Sequence, residues 1–323
     1  MLLFIRSKNG RKVTCVSVLY IVLAILVAVS TGCTRQRTAA DDVAAAEGVT
    51  IRIGSKNFTE QLILSHITML ALGENGIGPA EKTILPGTAA IRAALEAGEI
   101  DIYWEYTGTA WRVIMGREPV GNDTPRRMFE RVRETDTPNG IVWAEPAPLN
   151  NTFVLLMTRE RSQALGVRTL SELSAHMGAN PGQLRLASIH AFTIRPDGLP
   201  GLREVYGIDF GGNIDLMVQA MVYYTLDRGL VDVAVATATD WRIKHYGFVV
   251  LEDDKHFFPF YNPAPNIRTE VLERHPQILD ILNPISARLT DRAIRNLNFL
   301  VDRQGMSPTG AAAQWLRAEG FIQ

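Results

Sequence analysis

The stretch Gly98–Thr109 (GEIDIYWEYTGT) constrains the fold most strongly, because it joins a strand pattern to a glycine-containing turn. Ile100, Ile102 and Trp104 alternate with more polar residues, which predicts a half-buried β-strand. The alternation ends at Tyr106–Thr109, where glycine permits a tight turn and two threonine hydroxyls lie beside an exposed tyrosine ring. An aromatic face beside small hydrogen-bonding groups is typical of a small-molecule site, but an ordinary strand end gives the same pattern.

The first 33 residues predict an export signal that does not belong to the folded part of the chain. A basic segment leads into the apolar stretch Val13–Val29, and small residues with Cys33 end that stretch. Gly32-Cys33 is similar to the bacterial lipobox, so residues 1–33 are interpreted as a signal peptide and Cys33 as the lipidated first residue of the mature chain. An uncleaved N-terminal anchor is the alternative. Both interpretations predict a periplasmic or otherwise extracytoplasmic domain that is tethered to a membrane.

Composition limits the classes of protein that the remaining sequence can form. Residues 34–48 are small and polar and are interpreted as a flexible tether. The two cysteines are Cys15 and Cys33, so we expect an exported domain without disulfides that depends on its hydrophobic core. The net charge of −1, with acids and bases interspersed, argues against a nucleic-acid partner. No second apolar run is long enough to span a bilayer.

From residue 49 onward, strand and helix patterns alternate. Strands are predicted at Val49–Ile53 and Lys82–Leu85, with Gly98–Thr109 as the third, and apolar stripes predict the helices between them. This alternation is typical of an open α/β sheet. A second α/β set and a helical tail follow. Their predicted elements are helices at Leu170–Met177, Leu199–Tyr206 and Val218–Leu226, strands at Leu184–Ile189 and Val231–Ala236, and a helix-rich segment from Thr269.

Two extended, proline-bearing segments connect the two sets and predict two lobes. One crossing falls within Ile141–Thr158, and the other includes Phe258–Pro263. We predict a first lobe of residues 49–150 and 259–323 and a second lobe of residues 151–258. Ligands of such sheets bind beyond the carboxyl ends of the strands, so the predicted site lies in the cleft between the lobes.

The sequence contains no set of residues with the spacing of a known catalytic motif. There is no G-x-S-x-G turn and no H-E-x-x-H helix, and the six histidines are scattered without metal-ligand spacing. We therefore predict no catalytic residues, no metal and no cofactor. An exported enzyme on a similar two-lobed scaffold is an alternative, and it would require a nucleophile with a base, or a metal set, at the cleft.

Five stretches, ordered along the chain, resemble the osmoprotectant-binding proteins of ABC importers, the substrate-binding family for glycine betaine, carnitine and choline. The stretches are GSKNFTEQ (Gly54–Gln61), GEIDIYWEYTGT (Gly98–Thr109), PAPLNNTF (Pro146–Phe153), RPDGLPGL (Arg195–Leu202) and VVLEDDKHFFPFYNPAP (Val249–Pro265). Together they extend over essentially all of the exported domain. The resemblance implies an α/β, two-lobed periplasmic-binding-protein fold of type II with a ligand cleft between the lobes.

The resemblance also implies which residues hold the ligand. A quaternary ammonium group donates no strong hydrogen bond and is held by aromatic faces, while a ligand carboxylate needs cationic or hydroxyl donors. The implied cage positions are Tyr106, Phe153, Thr237 and Tyr261, and the implied carboxylate donors are Lys56, Thr109 and Arg195.

Two of the cage positions depart from the family's pattern. Phe153 stands where the family typically has tyrosine and keeps the ring, whereas Thr237 stands where another tyrosine is expected and removes one wall. Loss of one wall at a desolvated site costs about 1–2 kcal/mol, or roughly ten-fold in affinity. We therefore expect weak betaine binding or a different cationic ligand. Trp241 is close enough in sequence to be considered as a replacement for the missing ring.

The predicted function is that of the solute-binding component of an ABC importer for a quaternary-ammonium osmoprotectant such as glycine betaine or choline. The protein would act as a monomer that is anchored by its lipid and delivers the solute to a permease with an ATPase. Closure would be a hinge motion at Asn150–Phe153 and Phe258–Pro263. The alternative is an exported sensory or partner-binding lipoprotein for another small cationic or zwitterionic solute.

Overall fold

The strands form two five-stranded mixed sheets, against which the helices pack. The computed structural model describes residues 50–78, 80–120 and 123–323. The predicted signal peptide with Cys33 and the predicted tether lie outside these residues. Among the described residues, no helix combines the length and the apolar character that a membrane crossing requires.

The elements alternate along the chain as the sequence predicts, with several additions. The strands are β1 Ile51–Lys56, β2 Ala80–Leu85, β3 Ile102–Tyr106, β4 Ile141–Trp143, β5 Phe153–Met157, β6 Leu186–Ser188, β7 Ile214–Leu216, β8 Val233–Thr237, β9 Val249–Val250 and β10 Pro263–Arg268. The helices are α1 Thr59–Glu74, α2 Gly87–Glu96, α3 Thr107–Thr109, α4 Pro125–Asp136, α5 Arg159–Leu165, α6 Leu170–Ala179, α7 His190–Ile194, α8 Leu199–Tyr206, α9 Gln219–Asp227, α10 Trp241–Tyr246, α11 Thr269–Arg274, α12 Gln277–Arg288, α13 Asp291–Asp302 and α14 Pro308–Ala318. The sequence pattern did not predict α4, α5, α7, α10, β7 or β10.

The two sheets share one arrangement. The first has the order β2-β1-β3-β10-β4, and the second has the order β7-β6-β8-β5-β9. In each sheet three neighbouring strands are parallel, and the fourth strand, β10 or β5, is antiparallel to both of its neighbours. Each of these antiparallel strands follows a different crossing segment: β5 follows the first, and β10 follows the second. The predicted α/β class is confirmed, whereas the lobe boundaries at residues 150/151 and 258/259 stay predictions.

The central strand β3 is buried on both faces, so the prediction of a half-buried strand is wrong. Trp104 packs with Ile63 of α1 on one face of the first sheet. Tyr103 packs with Ile91 of α2 and Phe129 of α4 on the other face. The alternation in the sequence therefore separates two covered faces, and its polar members are paired inside the protein rather than exposed.

Strand β10 contains two prolines, which lack the N–H group that a strand inside a sheet normally donates. The carbonyls of Pro263 and Pro265 accept hydrogen bonds from the N–H groups of Ala147 and Ala144, at 2.8 and 2.9 Å. The backbone polar groups of both prolines therefore face the β4 side. Because β4 is paired only with Asn266–Arg268, the missing N–H groups fall beyond its ladder and remove no hydrogen bond from it.

A buried ion pair joins three elements at the second face of the first sheet. The guanidinium of Arg92 on α2 donates to both carboxylate oxygens of Asp136 at the end of α4, at 2.6 and 2.5 Å. Trp143 Nε1 of β4 donates to the same carboxylate at 2.8 Å. Burial raises the pKa of Asp136, but the hydrogen bonds from Arg92 and Trp143 outweigh it, so the pKa lies below its ordinary value of 3.8.

We expect Asp136→Ala to lower the free energy of unfolding by about 3 kcal/mol, because it removes the buried partner of the Arg92 guanidinium, which keeps only the exposed Glu96 at 2.6 Å. Urea denaturation at pH 7 measures this change. The matched control is Glu130→Ala on the same helix, which removes an exposed ion pair with Arg126 and should cost about 0–1 kcal/mol. The Asp136 contribution is fully present above pH 3.8 and is lost as the pH falls through the lowered pKa. Equal losses for the two variants would contradict this account.

Candidate functional site

The predicted site residues lie where the ends of strands from both sheets are found. Lys56 and Tyr106 are the last residues of the parallel strands β1 and β3. Phe153 begins β5 and is paired with Thr237, the last residue of β8. Tyr261 lies just before β10, whose first residue is paired with Tyr106.

Three of the four predicted cage residues, Tyr106, Phe153 and Tyr261, belong to one cluster of buried side chains. The ring centroids of Phe153 and Tyr261 are 6.1 Å apart in an edge-to-face arrangement. Phe192 and Phe258 lie 5.1 and 6.4 Å from Phe153, again between ring centroids. The sequence pattern did not single out these two residues; for Phe258, the aromatic run HFFPF in a crossing segment was the available signal.

Tyr106 is buried, with 4 % of its surface exposed, so the prediction of an exposed ring is wrong. The predicted tight turn after it is instead the short helix α3, which continues as the π-helical segment Ala110–Ile114. A Cβ on Gly108 would lie 2.8 Å from the Phe260 carbonyl oxygen and 2.9 Å from the Tyr261 ring. Glycine is therefore required because the second crossing segment approaches the backbone here.

Lys56 is buried and Arg195 is half-buried, and both of these predicted cationic donors are already paired with acids. Lys56 Nζ lies 2.6 Å from Glu105 Oε1, and burial lowers the pKa of Lys56 although Glu105 opposes the shift. Arg195 Nε donates to Asp197 Oδ1 at 2.7 Å. Burial lowers the pKa of Arg195, but Asp197 outweighs burial and the pKa lies above its ordinary value. A ligand carboxylate at this site would therefore meet cations that the protein itself partly neutralises.

Thr109 and Tyr261 connect this charge cluster across the two predicted lobes. Arg195 Nη2 donates to Thr109 Oγ1 at 3.2 Å, and the Tyr261 hydroxyl donates to Asp197 Oδ2 at 2.6 Å.

Two of the protein's own cations also lie near the cage rings. Lys56 Nζ is 5.5 Å from the Tyr106 ring centroid, and Arg195 Cζ is 5.3 Å from that of Phe153. These distances are within the range of cation–π attraction.

The fourth cage position, Thr237, is half-buried beside Phe153 and brings no ring. Trp241 does not take its place in this structure. The Trp241 ring packs against Phe299 and His245, at centroid distances of 5.2 and 5.3 Å, and its Nε1 donates to Asp302. The wall that is missing in the sequence is therefore not rebuilt by the neighbouring tryptophan.

A buried carboxylate that the sequence pattern did not single out lies against the cage. Glu60 Oε1 accepts hydrogen bonds from the Tyr106 hydroxyl at 2.7 Å and from Asn151 Nδ2 at 2.9 Å. Glu60 Oε2 accepts from the Thr239 hydroxyl at 2.7 Å and from Asn298 Nδ2 at 3.4 Å. Burial raises the pKa of Glu60, and these four hydrogen bonds oppose the shift without cancelling it. The only signal in the sequence was the position of Glu60 inside GSKNFTEQ.

At the strand ends of the two sheets, buried rings lie beside paired cations and hydroxyl groups. This arrangement is typical of solute-binding proteins. Within the described residues, no three or more His, Cys, Asp or Glu side chains are grouped so that they could hold a metal ion. Residues 49–318 match the family described as the substrate binding domain of ABC-type glycine betaine transport systems. The chain belongs to this family.

Individual relatives agree with the family match. A glycine-betaine-binding protein from Pseudomonas aeruginosa is 38 % identical over 283 residues, which cover 86 % of this chain and 90 % of the relative. The glycine betaine-binding protein YehZ of Escherichia coli is 28 % identical over 283 residues, covering 84 % of this chain and 92 % of YehZ. The apo YehZ structure covers 85 % of this chain and 100 % of its own with a TM-score of 0.62. The crystal structure of a glycine betaine/carnitine/choline ABC transporter has a TM-score of 0.69 at 25 % identity, covering 84 % of this chain and 100 % of its own.

These matches confirm the predicted family and the two-lobed binding-protein fold. The family consists of substrate-binding domains of transport systems, which bind solutes and work with the other components of an ABC transporter. The ligand roles of the seven residues predicted from the sequence stay predictions.

We expect Gly108→Ala to lower the free energy of unfolding by about 1–3 kcal/mol, because the added Cβ forces the second crossing segment away from α3. Urea denaturation measures the change. The control is Gly73→Ala near the end of α1, where the space around an added Cβ is open; this variant should stabilise the helix by up to about 1 kcal/mol. A Gly108→Ala variant as stable as the wild type would show that the close approach does not constrain this position.

Proposed function

We propose that this chain is the extracytoplasmic solute-binding component of an ABC importer and that its solute is a quaternary-ammonium osmoprotectant, such as glycine betaine or choline. The observation that carries the proposal is that rings from both sheets lie beside the cations Lys56 and Arg195 at one set of strand ends. Tyr106 and Lys56 come from the first sheet, and Phe153 begins a strand of the second. Membership of the family and the name of the 38 % identical relative support the same solute class.

The proposed binding mode follows from the chemistry of the solute. A methylated ammonium group gains cation–π attraction and apolar contact from Tyr106, Phe153 and Tyr261. A carboxylate on the same solute accepts hydrogen bonds from Lys56, Arg195 and the Thr109 hydroxyl. Because Lys56 and Arg195 are already paired with Glu105 and Asp197, the carboxylate gains less from them than from free cations. The two paired acids and the missing ring at Thr237 together support low affinity.

The proposed hinge consists of the two crossing segments, Asn150–Phe153 and Phe258–Pro263. These segments run beside each other: Tyr261 N donates to Asn150 Oδ1 at 2.8 Å, and Asn151 N donates to the Tyr261 carbonyl at 3.1 Å. Two adjacent connections restrict the motion to opening and closing of the lobes. The protein would be a monomer without catalytic activity, anchored through a lipid on Cys33 and delivering the solute to a permease with its ATPase.

We expect Tyr106→Ala to weaken binding of glycine betaine or choline by at least about ten-fold, because a desolvated cation–π contact is worth about 2 kcal/mol. Calorimetric titration of the purified protein with each solute measures the affinity. The matched control is Tyr224→Ala, which removes an exposed tyrosine whose ring also lies 5.3 Å from a cation, Arg228 Cζ. The control should bind like the wild type. Unchanged affinity in Tyr106→Ala would refute the proposed site, and no binding by the wild type would refute the proposed solute class.

We expect Thr237→Tyr to strengthen glycine betaine binding by about ten-fold, because it supplies the ring that the cage lacks. Thr237→Leu is the matched control: it adds apolar bulk at the same position without an electron-rich ring and should give a smaller gain. Calorimetry on both variants separates the aromatic contribution from simple filling of space. Equal affinities of the two variants would contradict the idea that an aromatic wall is missing.

A further inference from the structure

The carboxylate of Glu60 differs in its partners from the other buried acids of the site and the core. Glu105 is paired with Lys56, and Asp197 is paired with Arg195. Within the residues that the structure describes, the hydrogen-bond partners of Glu60 are two hydroxyls and two amides, and no lysine, arginine or histidine forms an ion pair with it. Its residue surface is only 3 % exposed. Burial of a carboxylate without a cationic partner costs free energy, and this cost indicates that Glu60 has a functional role.

The position of Glu60 relative to Tyr106 supplies a reason. Glu60 lies in the first turn of α1, and its Oε1 is 2.7 Å from the hydroxyl oxygen of Tyr106 at the end of β3. The other oxygen is held at 2.7 Å by Thr239, which follows β8 of the second sheet. The carboxylate is thus fixed at the hydroxyl end of a cage ring by donors from both sheets.

We infer that Glu60 is a specificity-determining residue that makes the site prefer a cationic head group to a neutral group of the same shape. This inference rests on the proposed function, since it concerns the site at which Tyr106 contacts the solute. A hydrogen bond from a phenol to a carboxylate polarises the phenol and places negative charge next to its ring. The negative face of the ring then attracts a cation more strongly, and this attraction is only weakly screened in the low-dielectric interior of the protein.

The inference also explains why the protein leaves this carboxylate without a cation. The charge of a bound ammonium group compensates Glu60 once the solute is in place, whereas a neutral solute leaves it uncompensated. Shape alone does not distinguish a trimethylammonium group from a tert-butyl group, because the two have nearly the same size. The contrast between these two groups therefore reports on the charge of the head group, and its change in a Glu60 variant reports on the contribution of Glu60.

The experiment compares glycine betaine with 3,3-dimethylbutanoate, in which carbon replaces the charged nitrogen. The dissociation constant of glycine betaine is measured by calorimetry on the purified full-length protein, and that of the isostere by competition with glycine betaine. Both titrations are made at pH 8, because burial raises the pKa of Glu60. The quantity of interest is the selectivity ratio, the dissociation constant of the isostere divided by that of glycine betaine. We expect Glu60→Gln, which keeps the shape and removes the charge, to lower this ratio about ten-fold or more.

Two further variants keep the test decisive. Tyr106→Phe keeps Glu60 and the ring but breaks their hydrogen bond, and it should lower the ratio about three-fold even if Glu60→Gln folds poorly. Asp136→Asn removes the charge of a buried carboxylate that belongs to the Arg92 ion pair, and it should leave the ratio unchanged.

The outcomes separate this inference from the proposed function. If Glu60→Gln and Tyr106→Phe weaken both ligands by the same factor, the ratio is unchanged and the inference is overturned while the proposed function stands. If the wild type binds neither ligand, both are overturned. A ratio that falls in both variants and stays constant in Asp136→Asn supports the inference.

Discussion

The insertion of β10 between β3 and β4 is the constraint on which the site depends. The chain enters this strand from the second crossing segment, so the residues just before it are brought beside the end of β3. This pairing places Tyr261 in the same cluster as Tyr106. It also explains the need for glycine at position 108, where the crossing segment approaches the backbone. The prolines of β10 are compatible with this central place because their missing N–H groups lie beyond the β4 ladder.

Compensation of buried charge is the second organising feature. Lys56, Arg195 and Arg92 each have a carboxylate partner within 2.7 Å. The negative charge of the partner therefore compensates the positive charge of each of these side chains. In the proposed binding mode, a ligand carboxylate competes with acids that are already in place. Glu60 reverses this pattern, because its carboxyl group lies at the hydroxyl of an aromatic ring and its partners there are neutral donors. In the proposed binding mode, this difference favours the cationic end of a zwitterion over its anionic end.

Local sequence patterns predicted much of the fold and part of the site. Strand β1, helix α8 and strand β8 follow from apolar periodicity and flanking glycines, since these signals act within a few residues. The strand at Gly98–Thr109 was also predicted, but its double-sided burial was not, because helices from distant parts of the chain cover both faces. Strand β10 was missed because it contains two prolines, and prolines normally argue against a central strand. The sequence alone does not show that their missing N–H groups lie outside the hydrogen-bonded pairing with β4.

By itself the sequence determined the family, the α/β class and the types of residue at the site, because motifs such as GSKNFTEQ and GEIDIYWEYTGT are local and ordered along the chain. Only the tertiary structure decided which charges are paired and which rings meet. Glu60 and Tyr106 are separated by 46 residues, and Glu60 and Thr239 by 179, yet they share hydrogen bonds. Such contacts depend on how two sheets and their crossing segments come together. A local sequence pattern does not specify contacts between residues that are so far apart in the chain.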